Sequence, residues 1–374
     1  MNSFRPTLKI IALIAVYTLI PILLFDGALR FWIHHLPMNL KNLLLSRYEA
    51  GPDGIYFHDP RWDMHLMKPG YDAEMFYNGY RWHHHANKQG IRSETDFQRA
   101  DVVLLGDSQV YGHGLQERET IASRLEALDG LKTANLGVQG DYPPFSYIRL
   151  RELGLFYQPE VVLFFTALDQ DLEDYRTRKP GRDDLEAILA APAQDYAAGF
   201  RACRYLEGYQ QRWGDTLSSP WRNMVPTLRI LHFARAFARW RLAAPASGEG
   251  GISGAGKDPY SDAFLFEFFS HFLQAADTLC RQHHCRLVLV IHPEGNKSLK
   301  LKESVLAFAR DKGIEALDLE TAFSMAPDRG KLFLKGDGHY SAQGAAYVAE
   351  TVNNFLQGQG DVLPQTPVEQ GSLR

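Results

Sequence analysis

Cysteine is scarce in this chain: there are three in 374 residues, at Cys203, Cys280 and Cys285. So few cannot form the dense disulfide framework that small secreted scaffolds rely on. A basic excess is missing as well. Forty Lys and Arg against 44 Asp and Glu leave a formal charge of -4, and nothing marks an electrostatic footprint for nucleic acid. Heptads and solenoid-period repeats are also lacking. What is present is 45% hydrophobic and 22% charged residues, the composition of a globular protein. The length allows one large domain with insertions, or two domains.

Charge disappears altogether in one place. Ile10 to Phe25, "IIALIAVYTLIPILLF", is sixteen residues without a charged side chain, preceded by Arg5 and Lys9. A full membrane span needs about 20 residues; snorkelling of Lys9 and the apolar "FWI" at 31–33 extend this one. A cleaved signal peptide, a membrane anchor and a buried core helix are the three readings. "LLFDGALR" lacks a small-x-small cleavage site, which favours an uncleaved anchor. Arg5 and Lys9 then place the N-terminus in the cytoplasm and the bulk of the chain outside it. Residues 27–47 mix apolar and basic side chains and suit a seat along the membrane surface. In an oxidising compartment, Cys280 and Cys285 in "CRQHHC" are expected to form a small-loop disulfide, with Cys203 left over. His283 and His284 lie between them, but the spacing matches no usual zinc pattern, and no metal is expected.

Four regions follow from the pattern: residues 1–35 as N-terminus and anchor, 36–98 as an aromatic-rich lead-in, 99–358 as an α/β domain, and 359–374 as a polar, disordered tail. In the lead-in, "MFYNGYRWHHHANKQGIRS" suggests short strands, with Asn78-Gly79 as a hairpin signal. Histidines 83–85 cannot all converge on one ion if they lie on a strand, where neighbours face opposite ways.

From residue 101, apolar runs alternate with helical periods. Strands are expected at "DVVLLGD", 132–137, 160–167, 285–292 and 314–320, and helices at 118–128, 143–156, 261–284, 301–312 and 341–357. This predicts a doubly wound, five-stranded parallel sheet covered on both faces. A helical insertion at about 176–260, with helices over Asp183–Trp213 and Leu228–Leu242, interrupts it. In such sheets the site lies at the carboxyl ends of the strands.

Two motifs fall at that rim. Ser108 follows the first sheet strand in "GDSQVYGHG", and a serine hydroxyl becomes a nucleophile only when a base removes its proton. His339 in "LFLKGDGHYSAQG" precedes the last helix, with Asp337 two residues earlier to orient the imidazole. Ser341 is the expected N-cap of that helix. A lone Gly-Asp-Ser is found in about one chain in ten of this length by residue usage, and each motif alone reads equally well as a polar turn. Together, on the correct ends of an alternating pattern, they are far more specific.

With these residues the sequence resembles the SGNH/GDSL hydrolase superfamily, in order from about residue 90 to 357. The resemblance implies a flavodoxin-like three-layer sandwich and no cofactor. "GDSQVYGHGL" resembles the block that supplies the nucleophile, here Ser108. "NLGVQGD" resembles the second block, whose glycine N–H holds the oxyanion, here Gly140. "DGHYSAQG" resembles the block of the acid and base, here Asp337 and His339; their spacing of one residue is that of relatives that acylate polysaccharides. The third block departs: where Gly-x-Asn-Asp is usual, "TALDQDLEDY" puts Gln170 in the place of the asparagine. Gln carries the same amide donor on one more methylene.

The anchor, the lead-in ending in "GIRS" and the insertion resemble membrane-anchored members of the superfamily. Those relatives O-acetylate alginate or cellulose, or assist teichoic-acid D-alanylation. The expectation is a single-pass protein of the inner membrane with a periplasmic serine esterase or O-acyltransferase domain. It would act on acyl groups of a surface or secreted polysaccharide, in company with a membrane-bound acyltransferase. The alternative is a non-catalytic scaffold or glycan-binding subunit of an envelope complex.

Overall fold

The computed structural model describes residues 4–32, 35–45, 54–59, 62–96, 98–191, 261–293 and 299–358. Most of the expected insertion, Cys203 and the tail lie outside them.

The first helix, α1 (Phe4–Trp32), is followed by α2 (Met38–Leu45). α1 carries the uncharged stretch and leaves Leu13, Ile14, Tyr17, Leu19, Leu23 and Leu24 exposed. Among the described residues no helix is long and apolar enough to cross a membrane. The apolar run stops after sixteen residues at Asp26, short of the roughly 20 that a span requires.

Two antiparallel hairpins form the lead-in: β1 (Tyr56–Asp59) with β2 (Met64–Met67), and β3 (Asp72–Tyr77) with β4 (Tyr80–His85). Asn78 and Gly79 make the second turn with φ of 46° and 92°. Two successive positive values suit the right-handed twist of a two-residue hairpin. As the alternation of a strand requires, His84 is buried, while His83 and His85 share the opposite face and both reach the Asp72 carboxylate.

The α/β domain has five parallel strands in the order β6 (Thr133–Asn135), β5 (Val102–Leu105), β7 (Val161–Thr166), β8 (Arg286–Ile291), β9 (Glu315–Asp318). This is the flavodoxin-like order, whose switch point lies between the first and third strands of the sheet, here β5 and β7. Side chains leave each strand alternately. Val103, Leu105, Val162, Phe164, Leu287 and Leu289 enter one core, and Val102, Leu104, Leu163, Phe165, Val288 and Val290 the other.

Helices α5 (Pro143–Glu152), α7 (Arg182–Ala190), α8 (Asp262–Gln282) and α9 (Leu299–Lys312) cover the first face. The second face carries α4 (Ile121–Asp129), α10 (Leu319–Met325) and α11 (Ala342–Leu356). α8 shows why: Leu265, Phe268, Phe269, Phe272, Leu273 and Ala276 recur at helical spacing and are all buried. Each such large side chain contributes about 1.5–3 kcal/mol on burial. Prolines open α5, and Ser341 caps α11 by accepting the Gly344 N–H at 3.1 Å. Of the expected insertion, α7 is the described part.

Cys280 and Cys285 are free, buried thiols, hydrogen-bonded to each other. The expected disulfide is therefore replaced by a thiol pair. The Cys285 N–H donates to the Cys280 carbonyl at 2.9 Å, so the backbone already closes this loop between helix and strand.

Gly106 ends β5 with φ of 153°. A Cβ there would lie 2.7 Å from Val110 Cγ2 and 3.0 Å from Phe165 Cβ. Gly106→Ala is expected to lower the unfolding free energy by about 2–4 kcal/mol through backbone strain and overpacking, measurable by urea denaturation.

Candidate active site

The sharp turn at Gly106 aims the chain directly into a short helix, α3 (Ser108–Tyr111), at the carboxyl end of β5. Asp107 caps it, its Oδ1 accepting the Gln109 N–H at 2.9 Å. Ser108 is thus the first residue of a helix, where backbone N–H groups have no partner within the helix. Gly137, after β6, is pressed against this helix: a Cβ on it would lie 2.5 Å from the Tyr111 nitrogen.

Asp337 and His339 arrive from the loop before α11. Gln109 joins the two segments, its amide donating to the Gly338 carbonyl at 3.2 Å and accepting the Tyr340 N–H at 2.9 Å. Across this clamp His339 Nε2 lies 2.7 Å from Ser108 Oγ, and His339 Nδ1 is hydrogen-bonded to Asp337 Oδ1. With Nδ1–H donating its hydrogen bond to the carboxylate, Nε2 is left to accept from the serine hydroxyl. Asp337 is 1% exposed at its side chain. Burial acts to raise its pKa, but hydrogen bonds from His339 and Asn78 outweigh it and hold the carboxyl at about 2. It stays ionised across the physiological range.

The two other sequence candidates sit apart from this chain of bonds. Gly140 occupies an exposed turn at φ of 75°, its carbonyl accepting from Arg178 Nη2 at 2.8 Å. The turn is fixed from two sides. Tyr56 of β1 bonds to Gln139, and buried Arg149 of α5 joins Asp141 to the His65 carbonyl of β2. Gln170 is exposed in the first turn of α6 (Leu168–Arg178), and its amide is bonded to Asp174 one turn on. Burial pushes the Asp174 carboxyl up to about 6, and that bond opposes the shift.

The lead-in contributes groups that sequence reasoning missed. Arg92, from "GIRS", is buried and donates to the carbonyls of Tyr111 at 2.6 Å, Gly112 at 2.7 Å and Leu115 at 2.5 Å. Its Nε lies 3.2 Å from Glu117, whose carboxyl burial pushes up to about 7 despite the guanidinium. Arg92 therefore grips the end of the serine-bearing helix. Its signal in the sequence is only an arginine beside an isoleucine.

His113 stacks on His339 with ring centroids 4.0 Å apart and planes 12° from parallel. Tyr77 and Trp82 pack against its other sides. His113, Asp337 and His339 bring three potential metal ligands within 4.8 Å of one another. Imidazole lone pairs lie in the ring plane, however, so two nearly parallel stacked rings do not converge on one ion. Both nitrogens of His339 are also already engaged by Asp337 and Ser108. The trio is a packed stack around the acid and not a metal centre.

A five-stranded parallel sheet in this order, with its polar residues gathered at the carboxyl rim, is a flavodoxin-like fold, and the chain is similar to proteins described as SGNH or G-D-S-L hydrolases. The similarity has a more particular form at the C-terminal end. Residues 288–372 match the family described as the SGNH hydrolase-like domain of acetyltransferase AlgX, a stretch that includes Asp337 and His339. No curated protein matches the chain in sequence. Among solved structures it is similar to a G-D-S-L family protein of Desulfitobacterium hafniense DCB-2, at 14% identity and a TM-score of 0.38 over 67% of this chain and 97% of that one. A lipase/acylhydrolase of Enterococcus faecalis matches at 12% identity and a TM-score of 0.37, covering 70% of this chain and 98% of that one. A catalytic mutant of the Geobacillus stearothermophilus acetylxylan esterase Axe2 matches at 10% identity and a TM-score of 0.37, covering 71% and 97%.

Burial lowers both His84 and His113 to about 3, against about 6.5 in an unfolded chain. Their contribution to stability is complete above pH 6.5 and is lost as pH falls towards 3, because the unfolded chain then binds protons that the folded site refuses. The urea midpoint is expected to fall between pH 7 and pH 4. His84→Gln should flatten that slope, as followed by tryptophan fluorescence.

Proposed function

We propose that the chain is a serine acyl-transfer enzyme. Ser108 attacks an ester carbonyl, His339 takes its proton and returns it to the leaving group, and Asp337 holds the imidazole and stabilises its cation. The observation that carries this reading is the continuous bond from Ser108 Oγ through His339 to a buried, ionised Asp337. The oxyanion donors are the Ser108 and Gly140 N–H groups, with the Gln170 amide as a third once it leaves Asp174. No step calls for a cofactor or metal. The acceptor is water in an esterase, or a sugar hydroxyl in a transferase.

The substrate we infer is an O-acylated, and specifically acetylated, surface or secreted polysaccharide. The match of the C-terminal region to a family described as an acetyltransferase supports it. For location we propose the outer face of the inner membrane, with the domain in the periplasm. The exposed apolar surface of α1 supports membrane attachment, and a membrane-bound acyltransferase is the partner that would supply the acyl group. A scaffold or glycan-binding role is the second reading. What favours it is the Gln170 amide, turned to Asp174 where the family asparagine would donate to the oxyanion.

Fluorophosphonate labelling separates the two readings, because only an activated serine reacts. Ser108 is expected to be labelled in the intact protein and labelling to vanish in Ser108→Ala; an inert wild type would favour the scaffold. In the native host, Ser108→Ala should change the ester-linked acyl content of envelope glycans, and unchanged content would leave a plain esterase.

Gln170 gives a separate expectation. Gln170→Ala should lower kcat by about 10²-fold, as for other lost oxyanion donors, while Gln170→Asn retains most activity. Equal, unchanged kcat values in both variants would assign Gln170 to α6 alone.

A further inference from the structure

Asp337 has a second partner besides His339, and it comes from outside the α/β domain. Asn78, at the tip of the β3–β4 hairpin, donates its side-chain amide to Asp337 Oδ2 at 2.6 Å. The other carboxylate oxygen, Oδ1, is the one bonded to His339. Asn78 is itself held by Asn42 of α2 through two bonds: Asn42 donates to the Asn78 side-chain oxygen at 2.7 Å and accepts the Asn78 N–H at 2.8 Å. The hairpin is pinned beside this point, where the Tyr80 hydroxyl donates to the Lys335 carbonyl at 3.0 Å.

Each group in this chain has a role its chemistry requires. A buried carboxylate needs donors on both oxygens, or the desolvation of the unpaired one is uncompensated. A neutral amide supplies a donor without adding a charge that would compete for the imidazolium. Asn also tolerates the left-handed backbone that the turn imposes at φ of 46°. Asn42 fixes which end of the Asn78 amide faces the acid, since its own amide occupies the oxygen end and leaves the nitrogen for Asp337.

We propose that Asn78 is a positioning residue of the active site, orienting Asp337 and hence His339, and that Asn42 extends this control to α2, the helix that follows the N-terminal segment. The lead-in is then part of the catalytic apparatus, and displacement of α2 would be felt at the acid. The proposal rests on the acyl-transfer reading of Ser108, His339 and Asp337. The ionisable groups that face Asp337 are His339 and His113.

The test uses the full chain and three variants, Asn78→Gly, Asn78→Asp and Asn42→Ala. Glycine keeps the positive φ and removes only the amide; aspartate keeps the shape and exchanges the amide for a carboxyl group. The readouts are the rate of fluorophosphonate labelling of Ser108 against pH, and the low-field proton resonance of the His339 Nδ1–H. Asn78→Gly is expected to slow labelling by about 10- to 100-fold, the usual cost of losing a group that orients a catalytic ligand, and to shift the resonance. Asn78→Asp replaces the amide donor by a second carboxyl group against Asp337, and two such groups cannot both ionise freely, so labelling is expected to slow at least as much as in Asn78→Gly and the acid limb of its profile to shift. Asn42→Ala should shift both readouts in the direction of Asn78→Gly, by less. Labelling within about twofold of wild type, with the limb and the resonance unmoved, would overturn the proposal. If wild type is not labelled at all, the acyl-transfer reading fails instead. The resonance then decides alone: a shift in Asn78→Gly supports positioning, and an unmoved signal refutes it.

Discussion

The carboxylate of Asp337 is the point on which the site depends. It is almost wholly withdrawn from water, at 1% exposure, yet must remain charged if His339 is to hold its proton on Nδ1. Burial alone would raise its pKa. Hydrogen bonds to His339 and Asn78, one on each oxygen, reverse that tendency. One of those donors belongs to the imidazole and the other to a hairpin that precedes the sheet in the chain. The charge state at the site's centre is therefore a joint product of two structural units.

The same division recurs around the rim. The sheet supplies the strand ends that bring Ser108 and the His339 loop together, and Gln109 bolts the two segments to each other. The hairpins supply the packing behind them. Arg92 holds the carbonyls at the end of α3, Trp82 and Tyr77 enclose His113 against His339, and Tyr56 and the His65 carbonyl fix the turn that carries Gly140. A core of Ile55, Tyr56, Met67, Met75 and Trp82 closes on Tyr111 of α3 itself. For the proposed acyl transfer, preorganisation of this kind would cost nothing at the moment of reaction, because folding has already oriented the dipoles.

His113 shows how proximity without chemistry is put to use. A second imidazole 4.0 Å from His339 would oppose formation of the imidazolium if it were charged. Burial keeps it neutral near neutral pH, so it packs against His339 as a flat, uncharged ring.

Sequence alone carried the architecture a long way. The alternation of apolar runs and helical periods fixed five parallel strands, because a doubly covered strand must be continuously hydrophobic. The Asn78-Gly79 hairpin, the prolines opening α5 and the Ser341 cap were equally legible, since each is a local requirement of backbone geometry. Ser108, Asp337 and His339 could be named because they fall at strand ends, where topology forces neighbours. What remained hidden were the long-range partners. Asn78 and Asp337 are 259 residues apart, and nothing in "FYNGY" marks an amide that will meet a carboxylate. Arg92, Gln109 and His113 were hidden for the same reason. The disulfide expectation failed on a related point: spacing brings Cys280 and Cys285 together, but only the three-dimensional structure decides that they meet as two hydrogen-bonded thiols. Periodicity determined the layers and the rim. Which side chains satisfy a buried charge was settled only by the packing of distant segments, for that is where desolvation and hydrogen bonding are balanced.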